Sequence, residues 1–143
     1  MIISQNERET KNLGVKLGRE CRGGEIFALS GELGSGKTCF AQGVAVGLNI
    51  KGRVNSPTFN IMKVYRLTGR SPIKFFCHID AYRLGAKSRL EAIGWEEFLG
   101  NKNTISVVEW AEKIKTSLPT KKIKKIIFKN LNEKERLIKL YEY

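Results

Sequence analysis

The sequence lacks the features that would point to a membrane, secreted or zinc-binding protein. No apolar run among its 143 residues approaches the length of a membrane span, and the N-terminus turns polar too soon for a signal peptide. Its three cysteines, Cys21, Cys39 and Cys77, lie far apart, which excludes a disulfide framework and zinc-ligand spacing. We expect all three to be buried or half-buried structural residues, and we expect the same of His78, which has no obvious partner. We expect one domain over residues 1–143, acting in the cytoplasm.

Acidic residues are scarce, and the formal net charge is +12. The basic excess is concentrated from residue 111 onward and is densest over residues 121–127, where lysines straddle apolar positions. This pattern predicts the start of a strand whose charged outer edge blocks edge-to-edge pairing. A charge of this size can also attract nucleic acid or an acidic partner.

The segment GELGSGKT, residues 31–38, matches the pattern G-x-x-x-x-G-K-[ST] at every fixed position. An apolar run precedes it and a run typical of a helix follows it, which is the strand–loop–helix order that phosphate binding needs. Its glycines allow positive φ angles and bring backbone N–H groups close to an anion. Lys37 supplies a charge for the phosphates, and Thr38 supplies a hydroxyl for Mg²⁺. The segment therefore predicts a nucleoside triphosphate site.

Periodicity and turn residues predict the remaining elements. Helices are predicted over residues 6–22, 37–48 and 89–99; strands over 26–30, 59–67, 73–80 and 104–110; and a final hairpin over 121–130 and 133–141.

Two of these predicted strands end in carboxylates, Asp80 and Glu109. Ligands of α/β sheets bind beyond the carboxyl ends of the strands, and Mg²⁺ beside a phosphate loop needs carboxylates nearby. The segment Ser56-Pro57-Thr58 lies between the loop's helix and the next strand. Nucleotide hydrolases often place there a mobile segment whose hydroxyl senses the γ-phosphate.

Taken together, the motifs resemble the TsaE (YjeE) family, small bacterial ATPases of the threonylcarbamoyladenosine tRNA-modification pathway. The matching segments come in the family's order: GELGSGKT at 31–38, VNSPTF at 54–59, HIDAYRL at 78–84, GWEEF at 94–98 and VEWAE at 108–112. The resemblance implies an α/β, three-layer P-loop ATPase fold with a mixed sheet and a C-terminal antiparallel hairpin.

The resemblance also implies roles for individual residues. Lys37 and the loop backbone would hold the phosphates of ATP, and Thr38 and Glu109 would hold Mg²⁺. Asp80 would be the essential acid that helps to order Mg²⁺ or water, which leaves open whether Asp80 or Glu109 coordinates the ion directly. Thr58 would act from the mobile segment. The other implied nucleotide-binding residues are Thr10, Glu32, Leu33, Gly34, Ser35, Gly36, Cys39 and Arg136, the last near the base.

The implied activity is slow ATP hydrolysis that drives the cycle of a complex of the TsaD and TsaB proteins, with tRNA contacted through that complex. Two alternatives stay open. A small-molecule kinase would transfer phosphate to a metabolite without partners. A basic RNA-binding module would bind tRNA in a salt-sensitive way and keep that affinity after Lys37→Ala.

Overall fold

The computed structural model of the chain describes residues 1–57, 61–69, 71–84, 91–114 and 116–142. In these ranges one seven-stranded sheet carries α-helices on one face. Its strands are β1 (Ile2–Ser4), β2 (Ile26–Gly31), β3 (Met62–Arg66), β4 (Phe75–Asp80), β5 (Thr104–Glu109), β6 (Ile123–Asn130) and β7 (Arg136–Glu142). The helices are α1 (Glu7–Glu20) and α2 (Lys37–Gly47), and 3-10 turns cover Trp95–Glu97 and Ala111–Lys113.

The strand order is β1-β7-β6-β2-β5-β4-β3. Strands β6, β2, β5 and β4 are parallel, whereas β1, β7 and β3 each pair antiparallel with a neighbour. The predicted mixed sheet and the C-terminal antiparallel hairpin, formed by β6 and β7, are therefore confirmed. Because β2, β5 and β4 are parallel neighbours, their carboxyl ends lie side by side at the same end of the sheet.

We expected the lysines of residues 121–127 to lie on the outer edge of a strand and to block edge-to-edge pairing, and this expectation is wrong. β6 pairs with β7 on one side and β2 on the other, and the edges of the described sheet are β1 and β3. Strand alternation explains the pattern instead, since Ile126 and Phe128 point into the core while Lys125 and Lys129 are exposed. β1 has no counterpart among the predicted elements, because three residues carry little signal and β1 exists through its pairing with β7.

The helical layer packs on the side of the sheet where α2 follows the glycine-rich loop. Asn6 caps α1 by accepting a hydrogen bond from the Glu9 N–H at 3.0 Å. The two helices approach closely, since a Cβ at Gly14 would collide with the carbonyl oxygen of Phe40. The core between α2 and the sheet contains Phe27, Leu29, Phe40, Val44, Phe76, Val107 and Phe128. This burial fixes the start of α2 above the ends of β2 and β5.

The opposite face of the sheet carries a second apolar cluster, which includes Ile26, Cys77, Ile79, Leu99, Val108 and Ile114. Of the helix predicted over residues 89–99, Arg89 and Leu90 lie outside the described residues, and Trp95–Glu97 form a 3-10 turn. The third layer of the fold is therefore present, and its described part consists of the α-helical residues Glu91 and Ala92 followed by short turns. No helix in the described ranges is both long enough and apolar enough to cross a membrane.

Candidate functional site

The glycine-rich loop joins the end of β2 to the start of α2. Gly31, Gly34 and Gly36 have φ angles of 149°, 74° and 105°, a region that favours glycine. Gly36 is the N-cap of α2 and provides no side-chain cap, so the first N–H groups of α2 have no side-chain oxygen to bind. The helix dipole and these N–H groups make the loop suited to an anion.

Lys37 lies inside the curve of this loop. Its Nζ donates to the carbonyl oxygens of Gly31 at 2.5 Å and Glu32 at 2.8 Å, and it lies 4.0 Å from the centre of the Trp110 ring. Burial lowers the pKa of Lys37 below its usual value, although the negative charges of Glu109 and its acidic neighbours oppose the shift. The ammonium group is thus held at the centre of the loop, between its carbonyls and an aromatic face.

Thr38 is connected to the end of β5. Its Oγ1 donates to Oε1 of Glu109 at 2.7 Å, and the other oxygen of Glu109 accepts a 2.6 Å hydrogen bond from Nε2 of His78. His78 is fully buried and Glu109 is 2% exposed. No partner of His78 could be identified from the sequence, because β4 and β5 are separated along the chain. Parallel pairing of these strands brings the His78 and Glu109 side chains together.

Asp80 ends β4 directly beside Glu109, its partner in the parallel register. Its Oδ2 accepts a hydrogen bond from Oγ of Ser56 at 3.0 Å, and its Oδ1 accepts one from the Tyr82 N–H at 3.0 Å. Tyr82 lies two residues after Asp80 and Trp110 lies one residue after Glu109, and their rings contact each other with centroids 4.9 Å apart. Two carboxylates therefore lie side by side at the carboxyl ends of β4 and β5.

A cleft of about 370 Å³ opens above these groups. Ten of its lining residues belong to the predicted site: Leu33, Gly34, Ser35, Gly36, Lys37, Thr38, Cys39, Asp80, Glu109 and Arg136. Three lining residues were not assigned a role: Glu7, Ser56 and Trp110. For two of them the sequence position indicates a place in the site, since Trp110 directly follows a strand-end carboxylate and Ser56 belongs to the segment before Thr58. Glu7 gave none, because only the packing of α1 on α2 brings it here.

Three predicted residues stand apart from this lining. Thr58 lies outside the described residues. The Glu32 backbone, rather than its side chain, takes part by accepting the Lys37 hydrogen bond. Thr10 is buried beside Gly36, since a Cβ built on Gly36 would lie 3.3 Å from Cγ2 of Thr10, and its hydroxyl is 2.8 Å from that of Ser4. Thr10 therefore supports the loop from behind.

Arg136, the first residue of β7, reaches the loop from the far end of the sequence. It is 5% exposed, and its Nη1 would lie 2.6 Å from a Cβ built on Gly36. Its Nε is buried without a hydrogen-bond partner in the described part of the chain. The position places a guanidinium group against the glycine that starts α2.

The cysteines have the structural character expected from the sequence. Cys77 is buried, and Cys21 and Cys39 are partly buried. Burial raises the pKa of Cys21 and of Cys77 to about 12, so both stay protonated thiols at neutral pH.

The sheet order, the glycine-rich loop between β2 and α2, and the strand-end carboxylates define an α/β protein with the P-loop NTPase fold. Comparison with known proteins then gives the family. The family model described as "Threonylcarbamoyl adenosine biosynthesis protein TsaE" matches residues 4–138, and the chain belongs to this family.

Individual relatives agree with this assignment. The chain is 37% identical over 133 residues to the tRNA threonylcarbamoyladenosine biosynthesis protein TsaE of Bacillus subtilis, covering 93% of this chain and 79% of that protein. It is 35% identical over 117 residues to the Treponema pallidum protein of the same name, covering 82% of each. Among solved structures, Bacillus subtilis YdiB superposes with a TM-score of 0.77 at 28% identity, covering 99% of this chain and 82% of that one.

Proposed function

We propose that this protein is an ATPase of tRNA threonylcarbamoyladenosine biosynthesis that acts on a complex of the TsaB and TsaD proteins in the cytoplasm. The observation that carries the proposal is the convergence of Lys37, the Thr38–Glu109 pair and Asp80 on one cleft above the glycine-rich loop. The family assignment supports the pathway, and the partners follow from the family resemblance.

The loop fits a triphosphate. Its glycine backbone and the start of α2 offer N–H donors, and Lys37 adds a positive charge that reaches the same space. We expect the Lys37 ammonium to exchange part of its contact with the loop carbonyls for phosphate oxygens. Arg136 stands beside Gly36 and adds a second positive charge at the cleft.

The donor set at the strand ends fits Mg²⁺. A threonine hydroxyl and carboxylates are hard oxygen ligands, and Mg²⁺ in phosphate sites is held by one or two carboxylates with the phosphates completing its shell. When bound, Mg²⁺ would neutralise charge on the phosphates. Thr38 and Glu109 are the residues that we assign to hold it.

We assign Asp80 to act on the water that attacks the γ-phosphate. Its carboxylate is fixed by Ser56 and the Tyr82 N–H, which leaves it oriented beside Glu109 rather than bound to Thr38. A carboxylate in that place can orient an attacking water or accept its proton. The contact with Ser56 links Asp80 to the segment that contains Thr58, which we assign to catalysis together with Asp80 and Lys37.

Hydrolysis by the protein alone should be slow. Among the described residues that line the cleft, the positive side chains are Lys37 and Arg136, and both contact the loop. P-loop hydrolases without an additional positive group at the transferred phosphate turn over slowly and are accelerated by partners. We therefore assign the TsaB–TsaD complex as the activator, with tRNA contacted through that complex.

The test is ATP turnover in the presence of Mg²⁺, by the protein alone and with the TsaB–TsaD complex. We expect strong stimulation by the complex and its loss in Asp80→Ala. Asp80→Asn is the matched variant, because it keeps an oxygen to accept the Tyr82 N–H while removing the charge, and it should be equally inactive. Turnover on the order of tens per second without partners would contradict the proposal. ATP binding without any stimulation would shift the assignment to a kinase or to another partner.

A further inference from the structure

A chain of hydrogen-bonded polar groups runs inward from the cleft, from the half-buried Thr38 to Glu109 and then to His78, which are both buried. Each oxygen of the Glu109 carboxylate has its own donor, with Thr38 on Oε1 at 2.7 Å and His78 on Oε2 at 2.6 Å. Since a carboxylate only accepts hydrogen bonds, Nε2 of His78 carries the donated proton. The other ring nitrogen, Nδ1, is buried without a partner in the described part of the chain.

This arrangement fixes the direction of a flexible side chain. A glutamate can rotate about three side-chain bonds, and a single contact to Thr38 would leave its carboxylate free to swing. The bond to His78 comes from a neighbouring strand, and the His78 ring itself packs near Phe76 in the core, with centroids 6.1 Å apart. Glu109 is thereby held between a rigid strand and the first turn of α2.

We propose that His78 is a positioning residue that holds Glu109 with Oε1 facing Thr38, and so sets the geometry of the divalent-cation site. The inference rests on the proposed function, because it concerns the Mg²⁺ that would accompany ATP. His78 reaches neither the cleft nor the phosphates; it acts through Glu109. Groups that orient a metal ligand typically change metal affinity by about 10–100-fold when they are removed.

A purely structural role for His78 predicts something different. In that case His78 would only satisfy a buried carboxylate, and its loss would lower stability without changing the response to Mg²⁺. The two roles can be distinguished by the ratio of ATP affinity with Mg²⁺ to ATP affinity with a chelator. A loss of stability lowers both affinities by the same factor, so it leaves this ratio unchanged.

Two variants of His78 form a matched pair. His78→Gln can place an amide N–H near the position of Nε2, whereas His78→Asn is too short to reach Glu109. Both keep a polar side chain in the core. Cys77→Ala removes volume from the neighbouring residue of the same strand, which faces the other apolar cluster, and serves as the control for destabilisation.

The experiment measures ATP binding by calorimetry with excess Mg²⁺ and with EDTA, with thermal unfolding recorded for each variant. We expect His78→Asn to lose about tenfold or more of the Mg²⁺-dependent gain in affinity, while its affinity in EDTA is unchanged. His78→Gln should recover most of the gain, and Cys77→Ala should keep all of it. The same Mg²⁺ dependence in His78→Asn as in the wild type would overturn the inference while leaving the proposed function standing. A wild-type protein that shows no Mg²⁺-dependent gain would overturn both.

Discussion

The carboxyl ends of β2, β4 and β5 and the hairpin of β6 and β7 use polar residues in opposite ways. At the strand ends Lys37, Glu109 and His78 are buried, and each has partners at defined distances. On the hairpin Lys125 and Lys129 are exposed and alternate with buried apolar residues. Buried polar groups are stable only when their partners are in place, whereas exposed lysines keep their contact with water.

The comparison explains why charge alone is a poor guide to function in this chain. Of the densest basic segment, residues 121–127, the last five residues belong to the internal strand β6, and none of the seven lines the cleft. Seven of the thirteen residues that line the cleft come from residues 33–39, in which Lys37 is the one charged residue. Arg136 belongs to the hairpin but contacts the loop.

The largest difference should be one of stability between the two faces of β6. Phe128→Ala should cost about 3–5 kcal/mol of unfolding free energy, because Phe128 is 2% exposed and packs edge-on against Phe40. Ile127→Ala, on the adjacent but 42% exposed residue, should cost less than about 1 kcal/mol. Urea denaturation of both variants measures this, and equal losses would mean that the outer face of the hairpin is covered.

A smaller effect, on ATP affinity, should show that Arg136 is the part of the hairpin that belongs to the nucleotide site. Arg136→Met keeps the apolar stem of the side chain and removes its charge. We expect ATP affinity to fall about tenfold, which corresponds to about 1.4 kcal/mol for a lost charged contact. Lys134→Ala, on an exposed residue two positions earlier, is the control and should change affinity less than about twofold. Calorimetry measures the ATP affinity of both variants. If Arg136→Met bound ATP as tightly as the wild type, the role of Arg136 would be only to pack on Gly36.

The smallest effect concerns the opposite end of β2, where Glu25 accepts hydrogen bonds from the N–H groups of Arg22 at 2.8 Å and Gly23 at 2.7 Å. Partial burial favours the protonated carboxyl, but these bonds and the Lys122 charge outweigh it and lower the pKa of Glu25. A lowered pKa means that Glu25 stabilises the fold above its usual pKa of about 4.3 and loses that contribution as the pH falls through the folded value.

Glu25→Gln should therefore lower stability by about 1 kcal/mol at neutral pH. The difference from the wild type should shrink in acid, and ATP binding should not change. Chemical denaturation between neutral and acidic pH measures the first two results. A stability difference that grows on acidification would contradict the assigned direction of the shift.

The sequence predicted the elements whose signals are local. The glycine-rich loop, α1, α2 and the final hairpin follow from motifs, caps and alternation, and their observed bounds differ from the predicted ones by a few residues. β1 was missed because its existence depends on β7, and the internal position of β6 depends on pairing with β2.

The same division holds for the candidate site. Lys37, Thr38, Asp80 and Glu109 could be found because motifs and strand ends mark them. The partnership of His78 with Glu109 could not be found, because a parallel pairing between separated strands creates it. The placement of Thr10 behind the loop likewise follows from the packing of α1, which no local pattern specifies.

The most direct test of the account is ATP binding by calorimetry in the presence of Mg²⁺, comparing two lysine-to-alanine changes in the two regions. Lys37→Ala should weaken binding by about 100-fold or more, since a charged hydrogen bond contributes about 1.5–3 kcal/mol and tenfold corresponds to about 1.4. Lys139→Ala, on the exposed face of β7, should change binding less than about twofold. Equal effects of the two changes, or full binding by Lys37→Ala, would contradict the claim that the strand-end cleft is the nucleotide site.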